Sequence, residues 1–108
     1  MEQVEFLEQK VFNDLKNMND GFDKAENIHF NEWDFAIVLQ RAEYFGIGIY
    51  EIQAWLDGVL YDIEIHEHFK KKATDAAWYK KALLTFSTQQ KGLTFTAAYK
   101  VSAKLLAK

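Results

Sequence analysis

The stretch IYEIQAWLDGVLYDIEIH, Ile49 to His66, decides the fold. Asp57-Gly58 at its centre is a preferred pair for a two-residue type I′ turn, in which both positions need positive φ. On either side, residues alternate with the period of two that marks a strand. A two-residue turn sets a register in which Leu56 faces Val59, Ala54 faces Tyr61, Ile52 faces Ile63 and Tyr50 faces Ile65. All eight are apolar or aromatic and share one face. The other face carries Trp55 with Leu60, Gln53 with Asp62, Glu51 with Glu64 and Ile49 with His66. A slip of one residue would turn the acids toward the core, so this register is the expectation.

Upstream of the hairpin, Asn31 is a good N-cap, with Asp34 three positions on and Phe30 placed to meet Phe35 as a hydrophobic staple. Phe35, Val38, Leu39, Ala42 and Phe45 form the buried stripe of that helix. Gly46 ends it, and Ile47 supplies the apolar contact that follows. Residues 2–18 predict a first helix, because Val4, Leu7, Val11, Leu15 and Met18 recur at spacings of three and four. Glu2, Glu5 and Glu8 sit where the helix dipole favours negative charge. Residues 19–29 read as a polar loop. Downstream, Thr74 caps a third helix with Asp75 in its first turn, Tyr79, Ala82, Leu83 and Phe86 on its apolar stripe, and Gly92 closing it. Residues 93–101 alternate again, with Leu93, Phe95, Ala97, Tyr99 and Val101 on one side. Ser102 caps a short terminal helix. The expected order is ααββαβ. A lone hairpin is marginally stable, so the third strand is expected to join it. The chain then forms one two-layer α+β domain over residues 1–108, a three-stranded antiparallel sheet with helices packed on one face.

Composition sets the outer bounds. The 108 residues are 49% hydrophobic and 27% charged, as in a globular domain. Cysteine is absent, which excludes disulfides, thiol catalysis and thiolate zinc sites. The longest apolar run, Phe35 to Leu39, is far short of a membrane span, and the acidic start carries no signal-peptide pattern. A cytoplasmic protein is the expectation. The formal net charge of −3 hides an asymmetry. Residues 1–68 hold fifteen acidic and four basic side chains, whereas residues 69–108 hold only Asp75 against nine lysines. Such segregation can place an acidic face opposite a basic one.

Candidate chemistry is sparse. On a strand, His66 and His68 would share a face with Asp62 and Glu64, a donor set able to hold a metal ion. No HExxH helix accompanies them, and His29 is remote in sequence. The pair Asp62 and Glu64, with Glu51 opposite, could serve acid–base catalysis only in a concave site, which an open sheet face does not supply. Ser87 and Ser102, the only serines, lie outside any glycine-flanked elbow. A non-enzyme without a cofactor is therefore expected. Lys70, Lys71, Lys72, Lys80 and Lys81 beside Trp78 and Tyr79 could bind single-stranded nucleic acid, but a pI near 5.6 opposes attraction to phosphate. The strongest pattern is a protein-binding surface. Trp55 and Leu60 form an apolar anchor ringed by Glu51, Asp57, Asp62 and Glu64, with His66 at the rim. The acids would steer a basic partner. Homodimerisation through the same hairpin face and metal binding at His66 and His68 are the alternatives.

The segment Ile47 to His68, with Trp55-Leu56-Asp57-Gly58, Tyr61-Asp62 and His66-Glu67, resembles segments of small cytoplasmic bacterial immunity proteins that accompany polymorphic or contact-dependent toxins. The resemblance spans about a fifth of the chain. It implies stoichiometric binding of one cognate toxin domain, often a basic nuclease, whose active site is blocked. The lysine-rich C-terminal third departs from a uniformly acidic inhibitor. Phage-encoded inhibitors of host enzymes share this general build.

Overall fold

The computed structural model describes residues 1–107. Asp57 and Gly58 both adopt positive φ, 51° and 80°, as a type I′ turn demands. They turn β2 (Gly48–Leu56) back onto β3 (Val59–Ile65). Glycine is required twice over at position 58, because a Cβ there would come within 3.2 Å of the Phe22 side chain. On its other side β2 pairs antiparallel with β4 (Thr94–Lys100), and β4 pairs with a two-residue strand, β1 (Phe30–Asn31). Among the described residues the sheet thus has four strands in the order β1-β4-β2-β3, where three were expected. The missed strand is too short to show a period. Its Asn31 also caps the following helix.

Among the described residues four α-helices accompany the sheet: α1 (Gln3–Phe6), α2 (Glu32–Phe45), α3 (Ala76–Gln89) and α4 (Ala103–Leu106). The α2 signals act as the sequence implies. Asn31 Oδ1 accepts from Asp34 N–H at 2.8 Å, and Gly46 takes the left-handed conformation with φ 67°. The α3 cap is Asp75, accepting from Ala77 N–H at 2.9 Å, rather than Thr74, and the helix stops at Gln89 before reaching Gly92. Ser102 caps α4 as expected.

The first helix is shorter than expected. Residues 7–11 form a π turn in which Phe12 N–H reaches Leu7 C=O at 2.7 Å, and Asp14 at φ 67° ends the helical run. Of the expected stripe, Leu7 and Val11 are buried together with Phe6, while Val4 faces solvent. Arg41 of α2 finishes the terminus, its guanidinium donating to the carbonyls of Val11 and Asn13 at 2.9 Å each. Those carbonyls would otherwise lack partners.

The core lies where α2 and α3 meet each other and the central strands. Phe95 of β4 is fully buried. It stacks on Phe35 of α2 with ring centroids 5.2 Å apart and meets Phe86 of α3 at 6.0 Å. Ile47, Ile49, Ile52, Ala54, Trp78 and Tyr79 complete the centre. No helix among the described residues is long and apolar enough to cross a membrane.

Two β-bulges revise the hairpin. Trp55 faces Leu60 as expected, but Ala54 faces Asp62 and Ile52 faces Glu64, so Tyr61 is an extra residue in β3. A second bulge falls at Tyr50, since Ile49 pairs with Tyr99 and Glu51 with Ala98. The Tyr50 bulge returns Ile49 to the buried face of Ile52 and leaves Tyr50 exposed. The Tyr61 bulge moves Asp62 and Glu64 onto the face of Ile52 and Ala54, and moves Ile63 and Ile65 beside Gln53 and Glu51. The acids are still not buried. β3 is the outermost strand, and its chief neighbours are β2 and a 3₁₀ turn rather than a helix, so the force that would fix its register is weak.

Candidate functional site

β3 is where surface chemistry concentrates. Its outer edge is unpaired, and it displays Val59, Leu60 and Tyr61 at 67%, 43% and 38% exposure. Exposed apolar residues on a sheet edge invite another strand unless the edge is guarded. Two guards are present. The bulge at Tyr61 interrupts the ladder, and the Asp62 carboxylate accepts the Ile63 backbone N–H at 2.8 Å. Asp57 and Asp62 are exposed, and Glu64 is half-buried with its carboxylate 3.6 Å from His68 Nδ1. Among the described residues no lysine reaches any of the three; the lysine–carboxylate pair that forms joins Lys80 of α3 to Glu43 of α2.

The predicted contact residues are therefore split rather than gathered. Leu60 and Glu51 stay on the face of Trp55, while Asp62 and Glu64 lie on the opposite face, joined to the first group only through the β3 edge. Trp55 is not the exposed anchor the alternation predicts. Its ring is 5.7 Å from Phe22 and 5.2 Å from His29, centroid to centroid, and its Nε1 donates to Gln53 Oε1 at 3.2 Å. Glu51 in turn accepts from Gln53 Nε2 at 2.8 Å.

The cover over Trp55 is the 17–29 loop, which the sequence presents as merely polar. Asn19 organises it. Its amide donates to the carbonyls of Lys24 and Asn27 at 2.9 Å each, and its Oδ1 accepts from Gly21 N–H at 3.1 Å. His29 is fully buried, and its Nε2 donates to Asp23 Oδ2 at 2.8 Å. That hydrogen bond, with one from Asn27, holds the Asp23 carboxyl below the usual carboxylate range. His29 Nδ1 has no partner. The signal that could have revealed this loop was its three asparagines, Asn17, Asn19 and Asn27, whose side chains readily bond to backbone.

The two remaining histidines do not share a strand face. β3 ends at Ile65, and His66–Phe69 forms a 3₁₀ turn, which sends residues two apart in different directions. His66 Nδ1 is engaged by the Lys71 carbonyl at 2.7 Å. Among the described residues no cluster of three or more His, Asp or Glu side chains could hold a metal ion. The aromatic partners expected for the lysine run are also withdrawn: Trp78 and Tyr79 are core residues. Burial, then the negative charges of Glu43 and Asp75, push the Tyr79 hydroxyl up to about 12.

Comparison with protein-family models, curated proteins and solved structures found no match. A further surface lies on α2. Trp33 and Tyr44, at 81% and 83% exposure, stand at the two ends of an outward stripe on α2. Positions 33, 37, 40 and 44 fall on one side of a helical wheel, away from the buried stripe.

Proposed function

We propose that the chain is a non-catalytic binding domain that neutralises a basic protein, in the manner of a bacterial toxin-immunity protein, by accepting one of its strands at the β3 edge. The observation that carries this reading is the combination on one outermost strand of an unpaired backbone edge, exposed Val59, Leu60 and Tyr61, and the acids Asp57, Asp62 and Glu64 without a lysine partner. Strand addition gives affinity through main-chain hydrogen bonds and specificity through alternate side chains. The Asp62 carboxylate on Ile63 N–H acts as a latch. A lysine or arginine on the incoming strand draws the carboxylate away and frees that N–H for the new ladder.

The same edge is poorly suited to a second copy of this chain. Edge-to-edge pairing would bring Asp62 and Glu64 of each copy together, and like charges across a ladder are destabilising. Light scattering over a range of concentrations should therefore show a monomer. The direct test uses the protein encoded beside this chain's gene, since immunity and toxin genes are neighbours in such systems. A one-to-one complex is expected. Replacing Asp62 and Glu64 by lysine should slow association about tenfold or more at low salt and flatten its salt dependence. Unchanged association kinetics in that variant would remove the steering role of these acids.

A further inference from the structure

A second unpaired edge lies at the other end of the sheet, and it opens on a groove. Among the described residues β1 pairs with β4 only at Thr94 and Phe95, and beyond Phe95 that side of β4 has no strand. The Gln3 side chain takes the place of one further down: its Nε2 donates to Tyr99 C=O at 3.0 Å, and its Oε1 accepts from Val101 N–H at 2.9 Å. Alternate residues of a strand turn their N–H and C=O to the same edge. Tyr99 and Val101 therefore show that Ala97 C=O and Tyr99 N–H form the next rung. The nearby 28–29 backbone does not fill it. Ile28, the residue two before Phe30, would face it, but among the described residues neither Ile28 nor His29 makes a backbone hydrogen bond to Ala97 or Tyr99.

Over this rung lies a groove of about 460 Å³, with Val4, Leu7, Phe12 and Ile28 as its apolar lining and Ala97 and Tyr99 contributed by β4. Tyr99 keeps its hydroxyl buried without a hydrogen-bond partner. Glu8 and Glu26, both exposed, also border the groove, and no lysine or arginine lines it. An occupant must then supply an amide to bridge the rung, an apolar group for the lining and positive charge for the border.

We propose that this groove binds an extended peptide segment in which one apolar residue is flanked by lysine or arginine, its N–H and C=O bridging Ala97 C=O and Tyr99 N–H. A residue of a strand running parallel to β4 has this geometry, which Gln3 already imitates one rung away. The site is separate from β3, so its failure would leave the β3 reading untouched.

The test is a nuclear magnetic resonance titration of the ¹⁵N-labelled chain with acetyl-Lys-Leu-Lys-amide. Saturable shifts are expected at the Ala97 and Tyr99 amides. The analogue N-methylated at leucine and the peptide acetyl-Glu-Leu-Glu-amide should each bind about tenfold or more weakly. A Glu8→Lys/Glu26→Lys variant changes only exposed positions, so a dispersed spectrum will show it folded, and it should lose affinity for the lysine peptide to the same degree. Absence of saturable shifts at those two amides, or equal binding of the N-methylated or glutamate peptide, would overturn the proposal.

Discussion

Replacing Phe95 by alanine is expected to cost roughly 3–5 kcal/mol, a large share of the ~5–15 kcal/mol that holds a small domain folded. Phe95 is fully buried at the point where the sheet meets both long helices, stacked on Phe35 and in contact with Phe86. Truncation removes its apolar burial and leaves a cavity that three separate elements, β4, α2 and α3, would have to move to close. Close packing resists such movement, so little of the cavity term is recovered. Phe95→Leu keeps much of the volume and should lose less than half as much. Urea denaturation of the two variants measures both values. A loss below about 1 kcal/mol for Phe95→Ala would place the core elsewhere.

The second large effect is at His29. His29→Ala is expected to destabilise the domain by roughly 2–3 kcal/mol, from lost packing on Phe22 and Trp55 and a lost hydrogen bond to a charged group. Trp55 fluorescence should shift red as the loop loosens. The same contact predicts a pH dependence. The folded Asp23 pKa lies below its unfolded value, so the folded state favours the ionised form. Its contribution is complete above the unfolded pKa, and it is lost as pH falls from there through the depressed folded pKa. The gap in stability between the parent chain and Asp23→Asn should therefore be constant near neutral pH and close on acidification below about pH 4. A gap that widens in acid would contradict the His29–Asp23 bond.

Much of this fold could be read from residues, and the failures have physical causes. The Asn31 cap, the Gly46 stop and the Asp57-Gly58 turn were legible because each depends on local backbone geometry that few residue types satisfy. Phe95 was legible because β4 is a central strand whose inner face meets both long helices, whereas the burial of Thr96 beside it, on the side expected to be polar, was not. The hairpin register failed at Tyr61 for the converse reason. On an outermost strand a bulge is cheap, and no helix above it disciplines the pattern. The first helix stops short because a π turn at Leu7–Val11 leads into Asp14 at positive φ, which a stripe of period 3.6 running on to Leu15 and Met18 cannot foresee. At the candidate site, the acids and Leu60 were recognised by type, but their grouping was not. Alternation alone points Trp55 to solvent, because nothing in local sequence shows that Phe22 and His29, over twenty residues away, fold across it.

Hydrogen exchange on the chain alone and in complex with the protein encoded beside its gene tests the proposed β3 edge most directly. Amides within Val59–Ile65 should exchange at least about tenfold more slowly in the complex, with Ile63 among those protected. Protection confined to the Trp33–Tyr44 face of α2, with Val59–Ile65 unaffected, would contradict strand addition at β3 and move the binding surface to that helix.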